Sequence, residues 1–271
     1  MTSVKHVAFV TGGGRGIGRA VAVALGREGL AVVVGARTKE QVEAVATEVR
    51  GAGGEAVAVE LDVTDPVSVE TAVAIAAALG PLDVLVNNAG IAESAAFART
   101  SLEMWERHLR VNVTGPYLMT RAVLSGMLER RRGRVINVAS LAGLHGAAYV
   151  SAYTASKHAL VGLTRALATE VGGTGVTVNA LCPGFVATDM VWNGARNIVA
   201  KTGRSFEDAV ASLARMNPGG RLIEPDEVAE AAVRLLGDDT VNGDTIVLDG
   251  TTPKRRGRGE PSQGAPSQEI P

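Results

Sequence analysis

The 271-residue chain has one cysteine, few aromatic residues and almost no net charge. With Cys182 alone, no intramolecular disulfide is possible, and a reducing compartment is favoured. Aromatic residues make up 3% of the chain, and the small and aliphatic residues that dominate it suit helices packed closely on a sheet. The formal net charge of −1 gives no global electrostatic attraction for nucleic acid.

Other features are absent as well. No apolar run reaches the ~18 residues that a membrane span needs, and no group of His, Cys or Asp residues has the spacing of metal ligands. The N-terminus leads into a strand pattern without a signal peptide. We therefore expect a soluble cytoplasmic protein without a metal, a nucleic-acid partner or a membrane partner.

Short apolar runs alternate with segments of helical periodicity along most of the chain. The runs predict buried strands at 7–10, 31–34, 56–61, 82–86, 134–139, 175–182 and 244–248. This alternation is typical of an α/β protein with a parallel sheet. In such sheets ligands bind beyond the carboxyl ends of the strands, so residues that follow the strands are candidates for a site.

A glycine-rich turn follows the first strand. Gly12, Gly16 and Gly18 lie between that strand and a helix pattern that begins near Arg19. Glycines permit a tight turn and a close approach of the backbone, and the helix N-terminus behind them favours a pyrophosphate. The context favours a dinucleotide over a purely structural turn.

The second strand ends in Gly35-Ala36-Arg37. A site for NAD usually has an acidic residue near this position, which holds the ribose 2′-OH. Arg37 instead suits a 2′-phosphate, with help from Arg15 in the glycine turn, and this favours NADP(H). The alternative is that Arg37 only solvates the start of a helix.

Polar residues also follow the third and fourth strands. Asp62 is either a cofactor contact or a turn residue, and position alone leaves both open. Asn87 and Asn88 are suited to bridging backbone groups at the floor of the crevice.

Three longer segments carry further predictions. The pattern that starts at Ser101 predicts one helix to about Arg131, and the interior Asn112 implies a kink, a backbone bond or a site. The looser segment 185–216 suggests a lid over the crevice, with a surface helix pair as the alternative. The polar segment 251–271, rich in Pro, Ser and Gly, is predicted to be disordered.

The stretch from Ser140 to Lys157 has the composition of a catalytic site. If a helix has begun by Tyr153, then Tyr153 and Lys157 form an i,i+4 pair on one face. An ammonium beside a phenol lowers the pKa of the phenol, and Ser140 at the end of the preceding strand is placed to hold a carbonyl oxygen. The alternative is a surface Tyr and Lys without a role.

These motifs together resemble those of the short-chain dehydrogenase/reductase family, most closely its 3-oxoacyl-carrier-protein reductases and polyketide ketoreductases. The motifs are Thr11-Gly-Gly-Gly-Arg-Gly-Ile-Gly18, Asn87-Asn-Ala-Gly90, Asn112, Ser140, Tyr153-Thr-Ala-Ser-Lys157 and Pro183-Gly184. The resemblance covers residues 5 to 250. It implies a single Rossmann domain over 1–250, with a doubly wound seven-stranded parallel sheet and helices on both faces, and a homotetramer.

The resemblance also implies roles for individual residues. Tyr153 would be the acid/base, Lys157 would lower its pKa and hold the nicotinamide ribose, Ser140 would orient the substrate oxygen, and Asn112 would hold a water in a proton relay. The cofactor-binding set comprises Gly12, Arg15, Gly16, Ile17, Gly18, Arg37, Asp62, Val63, Asn88, Ala89, Gly90, Val111, Tyr153, Lys157, Pro183, Gly184, Val186 and Thr188. By position, Phe97, His145, Tyr149, Met190 and Trp192 join Ser140 and Tyr153 as substrate contacts.

We expect an NADPH-dependent reductase of a ketone, either a 3-oxoacyl or a polyketide-like carbonyl, free or tethered to a carrier protein or CoA. One alternative is an NAD(P)-dependent secondary-alcohol or hydroxyacyl dehydrogenase that works in the oxidative direction. Another is a non-catalytic protein that senses a nucleotide, although the intact catalytic residues argue against it.

Overall fold

In residues 5–251, which the computed structural model describes, seven parallel strands form one sheet. The strands are β1 (Val7–Thr11), β2 (Ala31–Ala36), β3 (Glu55–Glu60), β4 (Leu82–Asn87), β5 (Gly133–Val138), β6 (Val176–Pro183) and β7 (Thr245–Leu248), in the spatial order β3-β2-β1-β4-β5-β6-β7. Every neighbouring pair is parallel. The predicted α/β fold with a seven-stranded parallel sheet is confirmed. The predicted disordered segment lies outside the described residues, apart from Thr251.

Helices cover both faces of this sheet. They are α1 (Gly16–Arg27), α2 (Lys39–Gly51), α3 (Pro66–Leu79), α4 (Leu102–Leu109), α5 (Gly115–Glu129), α6 (Ser151–Glu170), α7 (Asp189–Thr202), α8 (Phe206–Arg215) and α9 (Pro225–Arg234). Buried residues of α1, α2 and α9 share one core with Ala8 and Val10 of β1, while α3 and α5 share another with Val7 and Phe9. The two-residue period of a strand thus sends alternate side chains of β1 into two cores.

The strand order reverses at β1, which has β2 on one side and β4 on the other. The connections on the two sides lead away from each other, so a crevice opens beyond the carboxyl ends of β1 and β4. The turns that follow β1, β2, β3, β4, β5 and β6 all meet at this edge, and they carry the predicted site residues.

The single helix predicted from Ser101 to about Arg131 is wrong in one respect. It begins as expected, because the Ser101 hydroxyl accepts a hydrogen bond from the Met104 N–H. A π-helical turn at Arg110–Thr114 then separates α4 from α5. Inside this turn the Asn112 side chain bonds to the backbone of Ile91. A break in the regular helix and a backbone bond, two of the alternatives predicted for Asn112, thus occur together.

The segment 185–216 contains α7 and α8, which pack on each other through a small core of Val191, Ala195, Ala209 and Leu213. A pair of helices with its own core agrees with both alternatives, a lid and a surface helix pair. Among the helices of residues 5–251, none is both long and apolar enough to cross a bilayer.

Candidate active site

The glycine turn between β1 and α1 is shaped for a close approach of the backbone. Gly12 and Gly16 have φ values of 61° and 53°, which residues other than glycine rarely adopt. A Cβ at Gly18 would lie 2.2 Å from the Gly12 carbonyl oxygen. Gly18 therefore lets α1 pack closely on the glycine turn, and the N-terminus of α1, bare of side chains at Gly16 and Gly18, is suited to a pyrophosphate.

Asn88 fixes this turn to the end of β4. Its Nδ2 donates to the carbonyl oxygens of Thr11 and Gly12, both at 3.0 Å. The Thr11 hydroxyl accepts in return from the N–H groups of Asn88 and Ala89, also at 3.0 Å. The prediction that the two asparagines bridge backbone groups is confirmed for Asn88 but wrong for Asn87, whose amide bonds to the side chains of Thr120 and Asn137. Thr11 is a site residue that sequence reasoning missed.

Two arginines lie at the mouth of the crevice. Arg37 follows β2 and is exposed, without a hydrogen bond or ion pair to another residue in the described range 5–251. Arg15 is also exposed, and its Nη1 lies 3.4 Å from a carboxylate oxygen of Asp189 at the start of α7. No acidic residue stands where a ribose 2′-OH would be held, so the residues present fit a 2′-phosphate.

Asp62 acts as a turn residue in this structure. Its carboxylate accepts from the N–H and the hydroxyl of Thr64, at 2.9 and 2.8 Å. Of the two roles predicted for Asp62, a cofactor contact or a turn residue, these bonds favour the turn residue. A cofactor contact by the same residue stays a prediction.

Tyr153 and Lys157 both lie in the first two turns of α6, as predicted. Lys157 is 5% exposed, which excludes a surface role for it. Its Nζ donates to the Val138 carbonyl oxygen at 2.8 Å and lies 5.8 Å from the centre of the Tyr153 ring. Tyr153 is partly buried, and its phenol lies near the Ser140 side chain.

The direction predicted for the Tyr153 pKa is wrong for this geometry. Burial raises the pKa of the phenol, and the nearby Ser140 side chain only opposes that rise. Lys157 does not reverse the direction, because its ammonium is turned to the Val138 carbonyl. Burial also lowers the pKa of Lys157 from 10.5 to about 8. The phenol is therefore protonated at neutral pH and available as a proton donor.

Asn112 links the loop after β4 to α6, the catalytic helix, which carries Tyr153 and Lys157. Its Oδ1 accepts from the Ile91 N–H, and its Nδ2 donates to the Ile91 carbonyl and to the Ser156 hydroxyl at 2.9 Å. The Ser156 hydroxyl in turn donates to the Tyr153 carbonyl at 2.7 Å. The Asn112 side chain is thus engaged in holding two segments together, and its role in a proton relay stays a prediction.

The remaining cofactor candidates surround this centre. A Cβ at Gly90 would lie 3.2 Å from Asn112 Oδ1 and 3.6 Å from Lys157 Nζ, and a Cβ at Gly16 would lie 3.1 Å from a methyl group of Thr188. The glycine turn, the loop after β4, the catalytic helix and the start of α7 therefore meet in one place. Ile17, Val63, Val111, Pro183, Gly184 and Val186 lie at the same carboxyl edge or in the adjoining π-helical turn.

The substrate candidates are less closely assembled. Phe97, His145 and Tyr149 are exposed, and Tyr149 has a φ of 66°, a strained value for a tyrosine. Trp192 packs against Phe206 of α8, with ring centroids 6.4 Å apart, and Met190 is 48% exposed in α7. Their contact with a substrate stays a prediction.

The sequence is similar to one protein family and to several known reductases. The model of the short chain dehydrogenase family matches residues 6–198. The 3-oxoacyl-(acyl-carrier-protein) reductase of Vibrio harveyi is 39% identical over 247 residues, which is 90% of this chain and 96% of that protein. The corresponding reductase of Escherichia coli is 35% identical, with the same coverage of 90% and 96%.

A solved structure agrees with these relatives. It is a tryptophan variant of the actinorhodin polyketide ketoreductase with NADPH, which is 39% identical to this chain. The two superpose with a TM-score of 0.87 over 91% of this chain and 96% of that one.

The lowered pKa of Lys157 predicts a dependence of stability on pH. The folded protein releases this proton near pH 8, whereas the unfolded chain keeps it until about 10.5. Between these values the unfolded state binds more protons at Lys157, so Lys157 contributes a rise in the free energy of unfolding with pH. Above pH 9 this rise is opposed by Cys182, because burial raises the pKa of its thiol from 9.0 to about 11. The rise has a slope of up to ~1.4 kcal/mol per pH unit, the value for one proton.

Urea unfolding at pH 7 to 10.5, with Lys157→Met as the reference, measures this rise. Exposed Lys39, replaced in the same way, provides the baseline for general alkaline effects. A wild-type curve parallel to that of Lys157→Met across the window would show that Lys157 titrates alike in the folded and unfolded states.

Proposed function

The chain belongs to the short chain dehydrogenase family, and on that premise we propose that it reduces a ketone to a secondary alcohol with NADPH. The observation that carries this proposal is the placement of a protonated phenol. Tyr153 lies near Ser140 and beside buried Lys157, at the sheet edge where the glycine turn and Arg37 are suited to NADPH. Relatives that are 3-oxoacyl or polyketide ketoreductases support reduction of the ketone over oxidation of the alcohol.

The protein supplies the proton and the orientation for this reaction. When bound, NADPH supplies a hydride from nicotinamide C4 to the carbonyl carbon. Tyr153 donates its phenolic proton to the carbonyl oxygen, where negative charge develops, and Ser140 hydrogen-bonds to the same oxygen. One C–H and one O–H bond form, the ketone is reduced and NADPH is oxidised. Because its pKa is raised, the Tyr153 phenol is protonated at neutral pH and can donate this proton to the carbonyl oxygen.

The cofactor is held by groups of the crevice that have matching chemistry. The bare N-terminus of α1 receives the pyrophosphate, while Arg37 and Arg15 bind the 2′-phosphate. Lys157 and Gly90 lie where the nicotinamide ribose is expected. Since Arg15 contacts Asp189 in this structure, phosphate binding competes with that exposed ion pair.

For the substrate we propose a 3-oxoacyl or polyketide-like ketone, free or tethered to a carrier protein or CoA. The exposed apolar side chains of Phe97 and Met190 are suited to an acyl chain that enters from solvent. The relatives that act on acyl-carrier-protein substrates support a tethered form.

Replacement of Tyr153 by Phe removes one hydroxyl and tests the chemistry. The value of kcat/KM for ketone reduction should fall about 10²–10⁴-fold, the usual contribution of a general acid. The affinity for NADPH, followed by nucleotide fluorescence, should be retained because the glycine turn and the arginines are untouched.

Thr71→Val, which removes an exposed hydroxyl in α3 away from the crevice and the α5–α6 groove, is the control. Full activity in Tyr153→Phe would rule out the proposed acid. A protein without ketone turnover whose response to NADPH survives this change would instead be a nucleotide sensor.

Arg37→Ala tests the assignment of the cofactor. Hydrogen bonds to a charged group contribute about 1.5–3 kcal/mol, so NADPH binding should weaken about 10–100-fold. NADH lacks the 2′-phosphate and should bind as before. Titrations of both nucleotides measure the ratio, and Arg27→Ala, at the far end of α1, is the control. Equal weakening of both nucleotides would contradict a contact with the 2′-phosphate.

We further infer a cytoplasmic homotetramer, in which α5 and α6 form a subunit interface. These helices present a groove with an apolar lining that includes Tyr117, Leu124, Leu128, Leu163 and Leu167. Burial of such a surface between subunits removes apolar area from water. Sedimentation equilibrium should give four times the 27.8 kDa of one chain. Leu163→Arg should lower that mass, whereas a monomeric wild type would refute the inference.

A further inference from the structure

The loop that follows β4 forms one wall of the crevice. Residues 90–95 begin at Gly90, beside Asn112 and Lys157, and run toward the segment that carries Tyr149. Asn112 holds the backbone of Ile91 at one end, and the Tyr149 carbonyl accepts from the Ala95 N–H at 2.8 Å at the other. A shift of this loop would therefore displace groups next to both the cofactor and the substrate.

Between these two attachments the loop is held by one buried imidazole. His108, in the last turn of α4, is 0% exposed, and its Nε2 lies 3.1 Å from the backbone N of Glu93. Its Nδ1 lies 2.7 Å from the Met104 carbonyl oxygen. Because a carbonyl can only accept and a backbone N–H can only donate, Nδ1 carries the proton and Nε2 accepts. The ring is thus fixed in one tautomer and one orientation.

We infer that His108 is a positioning residue for the reaction, since it sets the place of the loop wall relative to the catalytic helix. A chain of hydrogen bonds carries this placement onward. Ile91, two residues from Glu93, bonds to Asn112, and Asn112 bonds through Ser156 to the Tyr153 carbonyl. The inference rests on the proposed ketone reduction, but it concerns a residue that touches neither substrate nor cofactor.

A nearby ion pair cannot take over this function. Arg107 Nη2 donates to the two Glu93 carboxylate oxygens at 2.7 and 2.9 Å, and Nε donates to one of them at 3.2 Å, but both side chains are well exposed. Exposed pairs contribute little to stability, and they fix a side chain rather than the backbone. The bond from the Glu93 N–H to His108 acts on the backbone itself, within a buried setting.

Two amide substitutions separate the two bonds of the ring. In His108→Asn the amide reaches only the Nδ1 position, so it can still donate to the Met104 carbonyl but cannot reach Glu93. In His108→Gln the longer side chain places an amide oxygen near the Nε2 position, where it can accept from the Glu93 N–H. Both variants replace an imidazole with a neutral amide, and Arg107→Gln removes the exposed pair as a further control.

We expect His108→Asn to lower kcat for ketone reduction about tenfold, because small misplacements of reacting groups are costly, with a smaller change in KM. Amide hydrogen exchange of residues 90–95 should accelerate, while that of the β5 core stays at the wild-type rate. His108→Gln should recover most of both properties. Arg107→Gln should change kcat by less than about twofold.

Other outcomes would overturn the inference. They are wild-type kcat and exchange in His108→Asn, or equal losses in the Asn and Gln variants, which would point to packing of the ring alone. A wild type without NADPH-dependent ketone turnover would refute the proposed function instead. In that case the exchange rates of residues 90–95 alone decide whether His108 fixes the loop.

Discussion

The site depends on one buried ammonium group and the carbonyl oxygen that receives it. Removing the Lys157 ammonium from water is costly, and the Val138 carbonyl at 2.8 Å offsets part of this cost. Val138 is the last residue of β5, and Lys157 lies in the second turn of α6. The bond therefore forms only if β5 keeps its register between β4 and β6 while α6 packs against the sheet. The sheet and the catalytic helix are tied to each other by the same contact that orients the lysine.

Along the carboxyl edge of the sheet, asparagine amides also tie separate elements of the fold together. Asn87 donates to Thr120 and Asn137, while Asn137 donates to Thr164 of α6, all inside the protein. Asn88 and Asn112 do the same nearer the crevice. Asn87 and Asn137 thus join side chains of different elements, whereas the amides of Asn88 and Asn112 satisfy backbone groups on either side of the crevice. Rigid backbone segments around the crevice follow from these bonds, and the catalytic side chains inherit that rigidity.

The sequence was sufficient for the architecture and for most candidate positions because these depend on local patterns. Apolar runs mark the strands, and the glycines before α1 and the residues at strand ends mark the crevice. Features that depend on tertiary contacts were out of reach. The acceptor of Lys157 is a backbone carbonyl, His108 has no neighbour in sequence that signals its partner, and the π-helical turn requires knowledge of Ile91. The direction of the Tyr153 pKa was wrong because burial of the phenol, the main cause of the rise, depends on tertiary packing that spacing alone does not give.

The arrangement of the sheet also has a consequence for how the chain matures as it is synthesised. Strand β1 pairs with β2 and β4, and part of the nucleotide site, namely the glycine turn, Arg37 and the loop after β4 as far as Gly90, lies within the first 90 residues. The acid, its serine and the lysine come from β5 and α6, which leave the ribosome later. Parallel pairing between distant segments is slow to form, and N-terminal parts of a chain have the first opportunity to fold. The surface that recognises the nucleotide can thus exist before the chemistry does, and the cell's own nucleotide pool is present while the rest of the protein assembles around it.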